Sequence, residues 1–139
     1  AILGYIAHMY PGANLMPSDP FDIARVHSFN AYICATVHVA HAHGRRGYRW
    51  ADEPSSLEDM KRKLPETIGA AFDLIERDFL VGPWVMGEQY TICDPYLLMA
   101  SLWLNSDGVP PDRHPRVQAH IERMKARPAV QTVLALHVR

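Results

Sequence analysis

The sequence predicts an all-α domain: a helical bundle of about five helices around a buried central helix. Residues 92–104, ICDPYLLMASLWL, are almost wholly apolar, with Asp94 their only charge. A helix that is apolar on all faces belongs inside a domain. This one is too short to span a bilayer. Flanking segments carry apolar residues at helical spacing, and no stretch shows strand-like alternation or internal repetition.

Residues 1–9 read as the end of a helix, stopped by Pro11 and Gly12, and residues 10–20 as a linker. Asp19 is the expected N-cap of the next helix. Pro20 fits its first position, where a missing donor costs nothing. Val26, Phe29, Ile33, Val37 and Ala40 mark one face, and the helix is expected to end near His43 and Gly44. Residues 45–54 read as a basic and aromatic loop. Ser55 and Glu58 form a capping box for a further helix. Its apolar positions are Leu57, Met60, Leu64, Ile68, Phe72, Ile75 and Phe79. Pro65 within that run predicts a kink, because the Lys61 carbonyl loses its donor.

Thr91 is the expected N-cap of the central helix. Asp94, three positions on, can reach back to the Thr91 backbone N–H, with Asp in place of the usual Glu. It would also sit near the positive end of the helix dipole. Such a cap matters most in a buried helix, where no water satisfies the first N–H groups. The turn at residues 107–111 follows. Pro115 opens a helix with Val117, Ile121 and Met124 inward, and Arg127-Pro128 separates a last short helix reaching about Leu136.

The chain has 139 residues, 48% of them hydrophobic and 21% charged, with a net charge of −1 when histidines are neutral. That length suffices for one domain with a real core. The charge argues against a general nucleic-acid binder or a binder of acidic membranes. Cys34 and Cys93 both fall in apolar helical patterns, so both are expected reduced and buried in a cytoplasmic protein. The opening residues are apolar, but without a basic start or cleavage site they do not read as a secretory signal. The chain does not begin with Met, which suits a fragment or processed chain.

The stretch Met86-Gly87-x-x-Tyr90-Thr91-Ile92-x-Asp94-x-Tyr96-Leu97 resembles the capping segment that opens the core helix of the glutathione S-transferase C-terminal domain. Ala1-Ile2-Leu3-x-Tyr5-Ile6 resembles the last helix of that family's N-terminal thioredoxin-like domain. The resemblance implies a tail of that domain over residues 1–10, a linker over 11–19 and the helical domain over 20–139. Thr91 and Asp94 match the family's hydroxyl and acid, whose role is in folding. The family's thiol-activating Ser, Tyr or Cys would lie outside this chain, so no catalytic residue is assigned within it.

The segment TVHVAHAHGRRG, residues 36–47, admits three readings at His38, His41 and His43. A metal site is disfavoured: on a helix His38 and His41 are about 60° apart, but His43 is about 140° from His38. Helix-end histidines favoured by the dipole are the plain alternative. The third reading rests on the resemblance. Phe29-x-x-Tyr32-Ile33-x-x-Thr36-Val37-His38 is similar to the bacterial beta-class pattern and places His38 on that class's active-site histidine. The class's neighbouring Asn, Glu and Lys fall on Ala31, Thr36 and Val39, so those contacts do not carry over. Trp103 matches a tryptophan lining the class's hydrophobic-substrate pocket, although a core Trp needing one hydrogen-bond partner is an equal reading. Arg45, Arg46 and Arg49, with Tyr48 and Trp50, suit an exposed loop better than an anion or RNA site.

The glutathione and substrate-binding residues expected are therefore His38, Tyr32, Thr36, His41 and Trp103. No metal and no bound cofactor are expected. The resemblance implies glutathione as co-substrate, a hydrophobic electrophile as partner, a cytoplasmic homodimer and a role in detoxification, with no nucleic acid and no membrane. By itself the chain is expected to be nearly inactive. The alternative is a non-catalytic interaction or ligand-carrier module of the same fold.

Overall fold

The computed structural model describes residues 1–137. Among them the regular elements are helices: α1 (Ile2–Met9), α2 (Pro20–Tyr32), α3 (His38–Arg46), α4 (Pro54–Leu74), α5 (Cys93–Ser101), α6 (Pro115–Lys125) and α7 (Pro128–His137). A π-helical turn over Ile33–Val37 joins α2 and α3 into one rod, and a second over Ile75–Phe79 extends α4. Two isolated antiparallel bridges, Trp84 with Gly87 and Met86 with Gln89, shape the crossing into α5.

The rod α2–α3 begins where its sequence says. The Asp19 side chain accepts from the Phe21 N–H at 2.9 Å and the Asp22 N–H at 3.1 Å, and Pro20 takes the first position. Val26, Phe29, Ile33 and Val37 then turn inward and are all but fully buried. They meet Ile68 and Phe72 of α4, Leu97 and Ala100 of α5, and Val117, Ile121 and Met124 of α6 in one core. Each such large side chain contributes about 1.5–3 kcal/mol by leaving water. Ala7 of α1 belongs to that core, and the Leu15 carbonyl accepts from the Ile92 N–H at 3.0 Å, so the linker is tied to the start of α5.

Four expectations are corrected. The rod does not stop at Gly44 but runs to Arg46. A Cβ at Gly44 would collide with Leu64 of α4, so this glycine lets two helices approach closely. Ser55 and Glu58 do not cap α4, which starts two residues earlier than that cap requires. Pro54 occupies its first position, and the Glu53 side chain makes no capping bond. Pro54 presets the backbone, and water can serve the exposed N–H groups there. Cys93 is buried as expected, but Cys34 is exposed. Ile33 and Val37 hold the core side, and a neighbour one residue from Ile33 points about 100° away. Finally, α5 ends at Ser101, and the chain to Gly108 proceeds in tighter turns, with Trp103 N–H bonded to the Ala100 carbonyl at 3.2 Å. Helix α4 itself runs on through Pro65.

Candidate functional site

The start of α5 forms the reciprocal cap that its sequence encodes. Asp94 Oδ2 accepts from the Thr91 N–H at 2.7 Å, and Thr91 Oγ1 accepts from the Cys93 N–H at 3.3 Å. Both side chains are fully buried. Asp94 does more than cap. Its Oδ1 also accepts from the Val85 N–H at 2.9 Å and faces His120 Nε2 at 3.1 Å. One carboxylate thus ties together the crossing segment, α5 and α6. His120 Nδ1 is buried without a hydrogen-bond partner among the described residues, and Trp84 meets the ring edge-on at 5.9 Å. Beside this hub, burial pushes the Cys93 thiol up to about 12.

A second cluster gathers on α3 and the turn after α5. His41 stacks on Trp103 with ring centroids 4.1 Å apart and planes 14° from parallel. His38, one helical turn earlier, meets the same indole edge-on at 5.3 Å. Asp107, from the far end of the turn, places both carboxylate oxygens 2.7 and 2.9 Å from His41 Nδ1. A carboxylate can only accept, so Nδ1 carries the proton and Nε2 faces away from the acid. The Asp107 side chain is only 2% exposed. Asp107 precedes Gly108, whose φ of +81° suits glycine and where a Cβ would lie 2.9 Å from the Pro65 ring. His38, His41 and Trp103 line a pocket of about 280 Å³ with Ala42, Arg45 and Arg46.

Three of the five expected binding residues therefore come together, and two do not join them. The Tyr32 hydroxyl donates to the Ala71 carbonyl at 3.0 Å, its ring packs 5.0 Å from Phe79, and burial raises its pKa. Thr36 lines a separate groove of about 410 Å³ between α3 and α4, with Val39, Asp59 and Lys63 among its walls. His43 also leaves the cluster: its Nδ1 donates to the Val39 carbonyl at 2.8 Å and its ring stacks on Trp50. No group of three or more potential metal ligands gathers among the described residues.

Sequence reasoning missed Asp107, His120, Arg45 and Arg46 as members of these clusters. His120 had a readable signal. Val117, His120, Ile121 and Met124 follow the spacing i, i+3, i+4, i+7, which puts the histidine on the buried face of α6. Arg45 and Arg46 were hidden by the assumption that Gly44 ends the helix. Asp107 carried no local signal beyond its place before a turn glycine.

An all-helical fold with a buried capping box at its central helix defines the class of domain. The chain has the fold of the C-terminal helical domain of glutathione S-transferases, and it is similar to bacterial members of that family. It is 42% identical to a glutathione transferase homolog from Sulfitobacter, crystallised with bound glutathione, over 96% of this chain and 64% of that one, with a TM-score of 0.93. A glutathione transferase structure from Methylococcus capsulatus is 28% identical over 97% of this chain and 64% of its own, with a TM-score of 0.79. The glutathione S-transferase GstA of Escherichia coli O157:H7 is 23% identical over 97% of this chain. The chain spans 64% of the length of that curated relative. No family model matches the chain.

Proposed function

We propose that this chain is the substrate-side domain of a bacterial glutathione transferase, in which glutathione's thiolate attacks a hydrophobic electrophile. The observation that carries the reading is the close superposition on the Sulfitobacter homolog, which holds glutathione. In the reaction the sulfur forms a bond to an electrophilic carbon, a leaving group such as chloride departs with its electron pair, and the thiol proton passes to water. His38, with a ring nitrogen able to donate, is assigned to the thiolate or to glutathione's carboxylates. Trp103 and His41 supply the wall for an aromatic electrophile, and Asp107 holds His41 in place.

Residues 1–10 would complete a thioredoxin-like domain, residues 11–19 link it, and the helical domain begins at residue 20. The outer face of α1 supports this assignment, since Ile2 (75% exposed), Tyr5 (65%) and Met9 (52%) are bare. The same reading carries a cytoplasmic, detoxifying homodimer. The open groove between α3 and α4, with exposed Val39 on its wall, supports the pairing. Among the described residues no helix is long and apolar enough to cross a membrane.

Calorimetry tests the division of labour. The pocket can hold an aromatic body by burial. A charged tripeptide needs convergent polar partners to offset its desolvation, and the family draws most of these from the other domain. The 139-residue chain should therefore bind aromatic electrophiles weakly and glutathione hardly at all. Saturable micromolar glutathione binding would show that the site has been misplaced.

A further inference from the structure

We propose that the pocket beside Trp103 selects an aromatic ligand bearing a carboxylate, with Arg45 and Arg46 as the residues that read its charge. The ligand's role as electrophile rests on the transferase reading; the preference for an anion follows from the pocket's own residues.

The lining is unbalanced in charge. Of its six residues, two are arginines and two are histidines, and none is acidic. A guanidinium offers five donors and no acceptor. Asp107, the acid beside His41, is buried against it and has both oxygens within 2.9 Å of that ring's Nδ1. None of the ion pairs among the described residues involves Arg45 or Arg46. Both arginines are exposed at the mouth of the pocket, one and two residues beyond Gly44. Because α3 runs through that glycine, they sit on the same helix as His38 and His41.

A wholly apolar electrophile would press against these guanidinium groups and strip their water without replacing it. A carboxylate replaces that water with charge-assisted, forked hydrogen bonds. The Trp103 indole, half-buried and already stacked on His41, gives the ring of the same ligand its apolar wall. Glutathione has carboxylates but no ring, so it satisfies only half of this pocket. At about 280 Å³ the space suits a single substituted benzene ring.

The test pairs 4-nitrobenzoate with its neutral isostere 4-nitrobenzamide. Each is titrated into the ¹⁵N-labelled 139-residue chain, and binding is read at the Trp103 indole N–H resonance. The benzoate should bind at least about fivefold more tightly, the scale of one net hydrogen bond. In the Arg45→Gln/Arg46→Gln variant the two ligands should bind alike, and Arg45→Lys/Arg46→Lys should restore part of the preference. Equal binding to the unmodified chain, no binding of either ligand, or a preference that survives the glutamine variant would overturn the proposal. Glutathione is the third titrant. If it moves the same resonance and loses affinity in the glutamine variant while nitrobenzoate does not, the charge being read is glutathione's and the proposal falls.

A second arm separates this inference from the function beneath it. The protein expressed from its own initiation codon is assayed with 4-chloro-3-nitrobenzoate and 4-chloro-3-nitrobenzamide. Conjugation of both at equal kcat/KM would overturn the charge preference and leave the transferase reading standing. No conjugation, with the nitrobenzoate preference intact, would overturn the transferase reading and leave the anion pocket standing.

Discussion

Replacing Asp94 with alanine should be among the most damaging single changes in the domain. The carboxylate is fully buried and serves three partners: the Thr91 N–H at 2.7 Å, the Val85 N–H at 2.9 Å and His120 Nε2 at 3.1 Å. The sequence alone supports a loss of about 1–3 kcal/mol for a missing cap in a buried helix. The structure raises it. Each orphaned buried donor costs about 1–3 kcal/mol, and the three share one network, so they do not add fully. A loss of about 4 kcal/mol is expected. With a urea dependence of about 2 kcal/mol per molar, the unfolding midpoint should fall by about 2 M. The assay is urea denaturation followed by circular dichroism. A double-mutant cycle with His120→Ala should show coupling above about 0.5 kcal/mol, because removing the imidazole removes one of the orphans. An unchanged midpoint for Asp94→Ala would refute the hub assignment, and strict additivity in the cycle would remove His120 from it.

Three further outcomes follow from particular contacts. Under native conditions a thiol reagent should label Cys34, which is exposed, and spare Cys93, whose buried thiol is pushed up to about 12; two labels per native chain would contradict this. The same thiol sets an alkaline limb. Its folded value lies above the ordinary 9.0, so its stabilisation is complete below pH 9 and is lost as pH rises towards 12, where the unfolded chain sheds the proton first. Denaturation midpoints measured from pH 8 to 11 should fall, and Cys93→Ala should flatten that fall. Gly108→Ala should cost about 1–3 kcal/mol, because a side chain there meets both a φ of +81° and the Pro65 ring. A thermal melt identical to that of the unmodified chain would show that the turn can shift.

What was legible in the sequence was local. Asp19 with Pro20, and Thr91 with Asp94, act across at most three residues, so their spacing alone describes the geometry that the structure shows. The inward faces of α2, α4 and α6 were likewise readable from helical periodicity. The clusters depend on distance in the chain. Asp107 meets His41 across 66 residues and His120 meets Asp94 across 26, and no spacing rule connects them. Gly44 shows the limit most clearly. A glycine after a helical run reads as a stop, and only the position of Leu64 on the neighbouring helix shows that it permits close packing instead. That one ambiguity moved Arg45 and Arg46 from the pocket wall to a supposed loop.

The measurement that bears most directly on function is glutathione conjugation by the protein expressed from its own initiation codon, with His38→Ala and Trp103→Ala beside it. The account predicts conjugation of an aromatic chloride, with kcat/KM for the electrophile lowered about tenfold or more in each variant, the equivalent of about 1.4 kcal/mol of transition-state stabilisation. Trp103→Ala should leave the KM for glutathione unchanged. Absence of conjugation, or variants that conjugate at the rate of the unmodified protein, would contradict it.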